Sequence, residues 1–442
     1  MTHNFPFILQ MMKFKHSSLH SLFPTLQTVS LIPVERPQLH PTITVYLPPH
    51  IMELVLDIHN EDDATFFTGL DQITPNLKTF KLQGRSQLPA YSVVKTLLPT
   101  IISLVSLTRL EIGHDEKSMI VDLETLLALS KQTALTHCHV EFYDKPSTSD
   151  LEGISTKFHQ AFPSLESFGI VIDNSDNMSY SFIGEIIQSI SSPALRRIQI
   201  NFRKLLPVDL ITHLLNSMLS HNIQTLSINY TGRGMLSAER AYRQGFLEPN
   251  IVEQMFRLQN LRALHLIGLS TSWRASLVHK MASAWPALEE VIIWHPYHGE
   301  TCSNLNRPSE TYIDIRELIH FAEGCPNLRK INIPYRSMFE AEVDIPLHFK
   351  IGTSRSSIIF IDDRGTFTLN NLATATFLYY LFGRKIESRH HEFGHNTLSQ
   401  ALEHLYDYIP EDGDIPLDYH NWIAGCYQTY QYRFLDWEYT ED

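Results

Sequence analysis

Basic charge of the kind that grips a phosphate backbone is missing from this chain. Its 442 residues hold 35 Lys and Arg against 48 Asp and Glu, a formal net charge of −13. Residues 403 to 442 alone carry ten acids and one base, Arg433, so the remainder stands at −4 with no basic stripe. Nucleic acid is therefore not an expected partner. Cysteine is scarce: Cys138, Cys302, Cys325 and Cys426 are scattered, with no C-x-x-C, which leaves neither a disulfide framework nor a thiolate zinc site. They read as reduced, mostly buried thiols. No run of 18 apolar residues occurs, so no membrane-spanning helix is expected. The segment from Met1 to His16 has only a short apolar patch, Phe5 to Met12, with no basic residues ahead of it to make a signal peptide. The expected compartment is cytoplasmic or nuclear, and Asn177-Met-Ser and Asn229-Tyr-Thr then read as chance matches to a glycosylation acceptor. There is no glycine-rich phosphate loop, no G-x-S-x-G elbow and no kinase-like set. The composition points to no cofactor and no enzyme.

What is present is apolar material and a repeat. Hydrophobic residues make up 43% of the chain and aromatics 11%, enough to build a continuous core. A segment of the form L-x-x-L-x-L recurs at Leu26/Val29/Leu31, Ile51/Leu54/Leu56, Leu77/Phe80/Leu82, Leu107/Leu110/Ile112 and Leu135/Cys138/Val140. It continues at Leu165/Phe168/Ile170, Leu195/Ile198/Ile200, Ile223/Leu226/Ile228, Leu261/Leu264/Leu266, Leu288/Val291/Ile293 and Leu328/Ile331/Ile333. The intervals are 25, 26, 30, 28, 30, 30, 28, 38, 27 and 40 residues. Most sit at or just beyond the period of a leucine-rich repeat, and the two long ones imply insertions. Alternate strand residues face opposite ways, so the last two apolar positions of each copy point inward and the first closes the preceding turn.

Helical periodicity separates the strands at Val121 to Leu129, Asp150 to Phe162, Phe182 to Ile190, Val208 to Leu219, Ser276 to Ala284 and Ile313 to Ala322. Pro207, Asp209 and Asp150 suit helix starts. A strand plus a helix cannot bury its apolar face alone, whereas stacked copies share one core. The expected fold is thus an α/β leucine-rich-repeat solenoid, a curved horseshoe with parallel strands on the concave face and helices on the convex face. A doubly wound α/β domain is the alternative, but its strands are apolar on both faces. Here polar residues alternate with apolar ones. Expected organisation is a lead-in over residues 1–20, the solenoid over 21–390 and an acidic-aromatic cap or tail over 391–442.

Several turns resemble those of the fungal F-box-associated leucine-rich-repeat proteins. They are Trp285-Pro286-Ala287-Leu288, Cys325-Pro326-Asn327-Leu328 and Phe162-Pro163-Ser164-Leu165, with Leu369 to Phe382 resembling that family's last helix and Ile386 lying near a final strand. The resemblance covers roughly residues 20 to 400 and rests on turns that all such repeats share. It implies presentation of a substrate to a ubiquitin ligase through Skp1. The chain departs from the family where an F-box would stand: Phe23-Pro24-Thr25-Leu26 already reads as a repeat, and Leu47-Pro48-Pro49-His50-Ile51 runs into the apolar alternation Leu54, Leu56, Ile58 of a strand.

Two segments carry chemistry outside the repeat pattern. His391-Glu392-Phe393-Gly394-His395 is an H-E-x-x-H, which on a helix places two imidazoles on one face for zinc with the Glu as general base. Arg389, His390 and Gly394 spoil a buried active-site helix, and Glu403 or His404 as third ligand lacks the usual glycine turn. The string reads as a polar segment leaving the last repeat, with a zinc-dependent hydrolase as the remote alternative. Asp362-Asp363-Arg364-Gly365 has the composition of a turn. From Pro410, acids mix with Trp422, Tyr427, Tyr430, Tyr432, Phe434, Trp437 and Tyr439, which suits a cover for the open end of a repeat array or an acidic-aromatic docking peptide. The functional expectation is a non-catalytic scaffold holding a protein partner on the concave face through Lys81, Arg109, Glu111, His137, His139, Arg197, Gln199, His265, Glu290, Lys330 and Asn332.

Overall fold

The computed structural model describes residues 26–31, 47–58, 64–84, 91–113, 119–142, 153–172, 181–202, 208–230, 246–271, 275–294, 313–333, 335–336, 359–362, 378 and 386–389. The lead-in, the H-E-x-x-H string and the acidic-aromatic tail lie outside the described residues. The chain divides into two units, one of Met1–Lys204 with Asn216–Asn222, the other of Leu205–Leu215 with Ile223–Asp442.

In the first unit seven strands pair in parallel in chain order: β1 (Thr28–Leu31), β2 (Glu53–Ile58), β3 (Thr79–Gly84), β4 (Arg109–Ile112), β5 (His137–Phe142), β6 (Ser167–Ile172) and β7 (Arg197–Phe202). Between them come helices α1 (Leu70–Ile73), α2 (Tyr91–Ser103), α3 (Leu123–Leu129), α4 (Ile154–Lys157) and α5 (Ser181–Ser189). The register turns the sequence repeat into two straight apolar ladders. One runs Val29, Leu54, Phe80, Leu110, Cys138, Phe168, Ile198, and the next Leu31, Leu56, Leu82, Ile112, Val140, Ile170, Ile200. All of these side chains are buried, as are Leu126 and Leu129 of α3 and Ile183, Ile186 and Ile187 of α5. Each such side chain contributes about 1.5–3 kcal/mol relative to exposure, which is how a strand and a short helix that could not stand alone become stable in a stack. Cys138 takes a leucine position in this ladder, and burial pushes its thiol up to about 12.

The second unit repeats the scheme with β8 (Thr225–Tyr230), β10 (Ala263–Ile267), β12 (Glu290–Trp294), β14 (Lys330–Asn332), β16 (Ile359–Asp362) and β17 (Ile386–Arg389), again parallel and in order. Its helices are most of α6 (Val208–Met218), then α7 (Pro249–Met255), α8 (Ala275–Ala284) and α9 (Leu318–Gly324), the last led in by a 3-10 turn, Ile315–Glu317. Each of the two long sequence intervals holds an extra short strand, β9 (Phe246–Leu247) in one and β13 (Ile313–Asp314) in the other. Each pairs with a short strand that follows the next repeat strand, β9 with β11 (Ser270–Thr271) and β13 with β15 (Tyr335–Arg336).

One backbone device recurs at the start of the strands. The N–H of the leading Leu donates to the carbonyl three residues back, as in Leu107 to Leu104 (3.0 Å), Leu288 to Trp285 (3.0 Å) and Leu328 to Cys325 (3.1 Å). The next two N–H groups then share one carbonyl of the preceding repeat: Thr108 and Arg109 on Lys78, Thr136 and His137 on Thr108, Glu289 and Glu290 on Arg262. This is why W-P-x-L and C-P-x-L precede strands: the Leu N–H seals the turn on the carbonyl of its first residue, whose own N–H is bonded to the preceding helix. With strands, turns and ladders in this order, the fold is an α/β leucine-rich-repeat solenoid.

Leu47-Pro48-Pro49-His50-Ile51 is one of these turns, with Ile51 N–H on the Pro48 carbonyl at 3.2 Å and β2 following. Two helix expectations need correction. Of Asp150 to Phe162, residues 150–152 lie outside the described residues, and from Gly153 on only α4 is helical, because the chain turns left-handed at Gly153 (φ 74°), Gln160 (φ 58°) and Phe162 (φ 50°), which a right-handed helix cannot accommodate. Of Ile313 to Ala322, the first two residues form β13, and α9 begins only at Leu318. Asp362 belongs to β16, where it pairs with Arg389, and Asp363-Arg364-Gly365 of the expected turn lie outside the described residues.

Candidate functional site

The strand residues between the apolar ladders form two rows on the opposite face of the first unit. One row runs Glu53, Thr79, Arg109, His137, Ser167, Arg197, and the other Val55, Lys81, Glu111, His139, Gly169, Gln199. All seven residues expected here from the sequence therefore stand side by side, about 4.8 Å from strand to strand.

Charges at one end of these rows neutralise one another. Lys81 Nζ lies 3.3 Å from Glu53 Oε1 and 3.8 Å from Glu111 Oε2, while Arg109 Nη2 and Nε both reach Glu111 Oε1 at 2.7 Å. Glu111 thus serves two cations. Half-exposed pairs of this kind contribute little each to stability, but they fix side-chain direction. Glu53, which closes this chain, was open to discovery from sequence: it precedes Leu54 just as Arg109 precedes Leu110.

Toward β7 the rows are open. Arg197 is exposed and makes no salt bridge among the described residues. Two strands away in the same row, His137 is half-buried, with its Nδ1 2.9 Å from Thr136 Oγ1. Burial, and then the positive charge of Arg109, hold the His137 imidazole below its ordinary value; Arg197 acts in the same sense, while Glu166 and Glu111 oppose it. Next to it, His139 lies over Gly169. A Cβ at Gly169 would collide with His139 Nδ1, so the missing side chain on β6 is what gives the imidazole its place. Gln199 Nε2 donates to Asn201 Oδ1 at 3.3 Å.

In the second unit the corresponding rows hold Thr225, Ala263, Glu290, Lys330 and Ser227, His265, Ile292, Asn332. His265 Nε2 and Glu290 Oε2 are 3.2 Å apart. Burial lowers the His265 imidazole, with Lys330 adding to the effect and Glu290 pulling the other way. Asn332 is only 7% exposed and offers a partner little surface.

His137, His265 and His221, the last lowered by burial despite its 2.9 Å contact with the Ile187 carbonyl, all bind a proton less readily folded than unfolded. The unfolded chain therefore takes up more protons below the ordinary imidazole value of 6.5, so these groups cost stability as pH falls through that value. An NMR titration should place the His137 midpoint below that value, and Arg197→Gln should raise it. An unmoved midpoint would show that the Arg197 charge does not reach His137.

Among the described residues, no group of three or more His, Cys, Asp and Glu could hold a metal ion, and no helix is long and apolar enough to cross a membrane. The rows instead offer hydrogen-bond donors and acceptors of both charges on a rigid sheet.

No family model matches the sequence, and no curated protein matches it. Solved structures similar to it include the leucine-rich-repeat protein LIC12759 of Leptospira interrogans, at 14% identity and a TM-score of 0.34, over 70% of this chain and 66% of that one. The chain therefore spans just under two thirds of that protein. A second is the leucine-rich-repeat-containing protein LegL7 of Legionella pneumophila, at 12% identity and a TM-score of 0.38, over 81% of this chain and 100% of that one. The fold assignment rests on the strand order and register above.

Proposed function

We propose that the chain is a non-catalytic protein-interaction scaffold that holds a protein partner against the polar rows of its strands. The observation that carries this reading is the register: residues scattered through the sequence from 53 to 199 form two rows on one sheet face, polar at every position but Val55 and Gly169. A preformed sheet spends little conformational entropy on binding, and polar rows of mixed charge select a complementary partner.

Affinity capture from native lysate with the wild-type chain, Arg197→Glu and the double variant Arg109→Glu/Arg197→Glu tests it. Arg197→Glu is the cleaner reversal, because Arg109 is tied to Glu111 and its replacement also disturbs Lys81. The partner is expected in the wild-type eluate and absent from both variants, with circular-dichroism spectra unchanged. Undiminished capture by Arg197→Glu counts against this face.

The ubiquitin-ligase role implied by the family resemblance is a separate proposal about the same scaffold. It requires Skp1 to co-purify with the chain.

A further inference from the structure

Away from the polar rows, α8 and α9 bring together two imidazoles that lie 41 residues apart in sequence. His279 Nδ1 and His320 Nδ1 face each other at 3.5 Å, with ring centroids 4.9 Å apart and the planes inclined at 75°. The close approach has a backbone cause. A Cβ on Gly324 would sit 2.9 Å from Ala282 Cβ and 3.0 Å from the Ala282 carbonyl oxygen, so the absence of that atom lets the two helices meet one turn beyond the histidines. A third group completes the arrangement: Glu317 Oε2 lies 3.2 Å from His320 Nε2.

The geometry points to a zinc-class divalent metal site formed by His279 and His320, with Glu317 as its outer partner. Two imidazole nitrogens on one tetrahedral ion, each at about 2.0–2.1 Å, stand roughly 3.3–3.4 Å apart, close to the separation here. The Glu317 carboxylate accepts the Nε2–H of His320, which leaves the lone pair on Nδ1, the nitrogen that faces His279. A carboxylate behind a ligating imidazole fixes the tautomer and raises basicity in just this way. Without metal, His279 donates its Nδ1–H to that lone pair. With metal, the neutral His279 ring carries its proton on Nε2 instead, so both Nδ1 atoms ligate and no net proton is released. Water fills the remaining positions, and the exposed setting of His279 admits it. Borderline divalent ions that favour imidazole, Zn(II) foremost, are the fitting class. Acid opposes binding, because imidazolium has no lone pair to give.

The test is carbethoxylation of histidines in the full chain, read peptide by peptide by mass spectrometry, with and without zinc chloride. One equivalent of zinc should protect His279 and His320 together. His279→Ala should abolish protection at His320, Glu317→Gln should weaken the zinc dependence about tenfold, and His395→Ala should change neither. The site is overturned if His320 stays protected in the His279→Ala variant, or if zinc protects neither residue in the wild type. The role given to Glu317 is overturned if Glu317→Gln matches the wild type. Circular dichroism of each variant confirms that the fold is kept; of the positions altered, His279 is exposed and Glu317 half-exposed.

Discussion

Gly268→Ala is expected to destabilise the chain by about 2–5 kcal/mol, among the largest losses available to a single methyl group. Gly268 follows β10 directly and holds φ at +74°, where an L side chain is strained by about 1–2 kcal/mol. The added Cβ would also overlap the Tyr230 carbonyl oxygen and come within 3.1 Å of the Tyr230 carbonyl carbon. These are backbone atoms of β8, the strand paired with β10, and they cannot rotate aside; forced overlap in a packed region costs about 1–3 kcal/mol more. Gly69 supplies the control. Its φ is +80°, but a Cβ there meets nothing within 4 Å, so Gly69→Ala should lose only the backbone strain. Urea denaturation of the two variants separates the contributions. Equal losses would mean that β8 and β10 do not approach at Gly268.

Trp285→Ala is the second large effect, about 3–5 kcal/mol by the usual range for truncating a buried aromatic. Trp285 is fully buried, and its ring meets Phe256 edge-on, with centroids 5.3 Å apart and planes at 73°. Its backbone closes the turn ahead of β12, with its N–H on Met281 and its carbonyl accepting from Leu288 and, at 3.4 Å, from the Cys325 thiol. The indole Nε1 has no hydrogen-bond partner among the described residues. A buried donor left unmade costs about 1–3 kcal/mol, so Trp285→Phe, which keeps an aromatic ring and removes the donor, should lose far less than Trp285→Ala. Denaturant midpoints decide it. Equal destabilisation by Ala and Phe would show that the ring's bulk is not what fills the site.

The strands were readable because their signal is local. Each L-x-x-L-x-L copy states its inward positions by alternation, and all eleven became parallel strands in the expected order within their units. The strand Ile359–Asp362 escaped notice because, with Ile358 and Ile361 in the first two positions of the repeat, the sequence has Asp363 where the third apolar residue should stand. Helices were less legible. The apolar spacing of Asp150 to Phe162 looks helical, yet left-handed residues at Gly153, Gln160 and Phe162 break it, and such conformations at the two non-glycine positions leave no mark in composition. The polar rows followed from the same alternation as the strands, but their charge economy did not. That Glu111 binds both Lys81 and Arg109, leaving Arg197 as the cation of the first unit's rows without a salt bridge among the described residues, depends on side-chain reach across neighbouring strands. The slot that Gly169 makes for His139 depends on register between β5 and β6. The His279–His320 pair was hidden for a further reason: it joins helices of repeats separated by a 40-residue interval, so no fixed period predicts the meeting.

The decisive measurement is histidine footprinting of the chain alone and in complex with the protein it captures. If the polar rows of the strands are the binding surface, diethyl pyrocarbonate should modify His137 in the free chain and fail to modify it in the complex, while His279 on α8 reacts equally in both. Protection of His279 with His137 left reactive would place the partner on the helices and contradict the account.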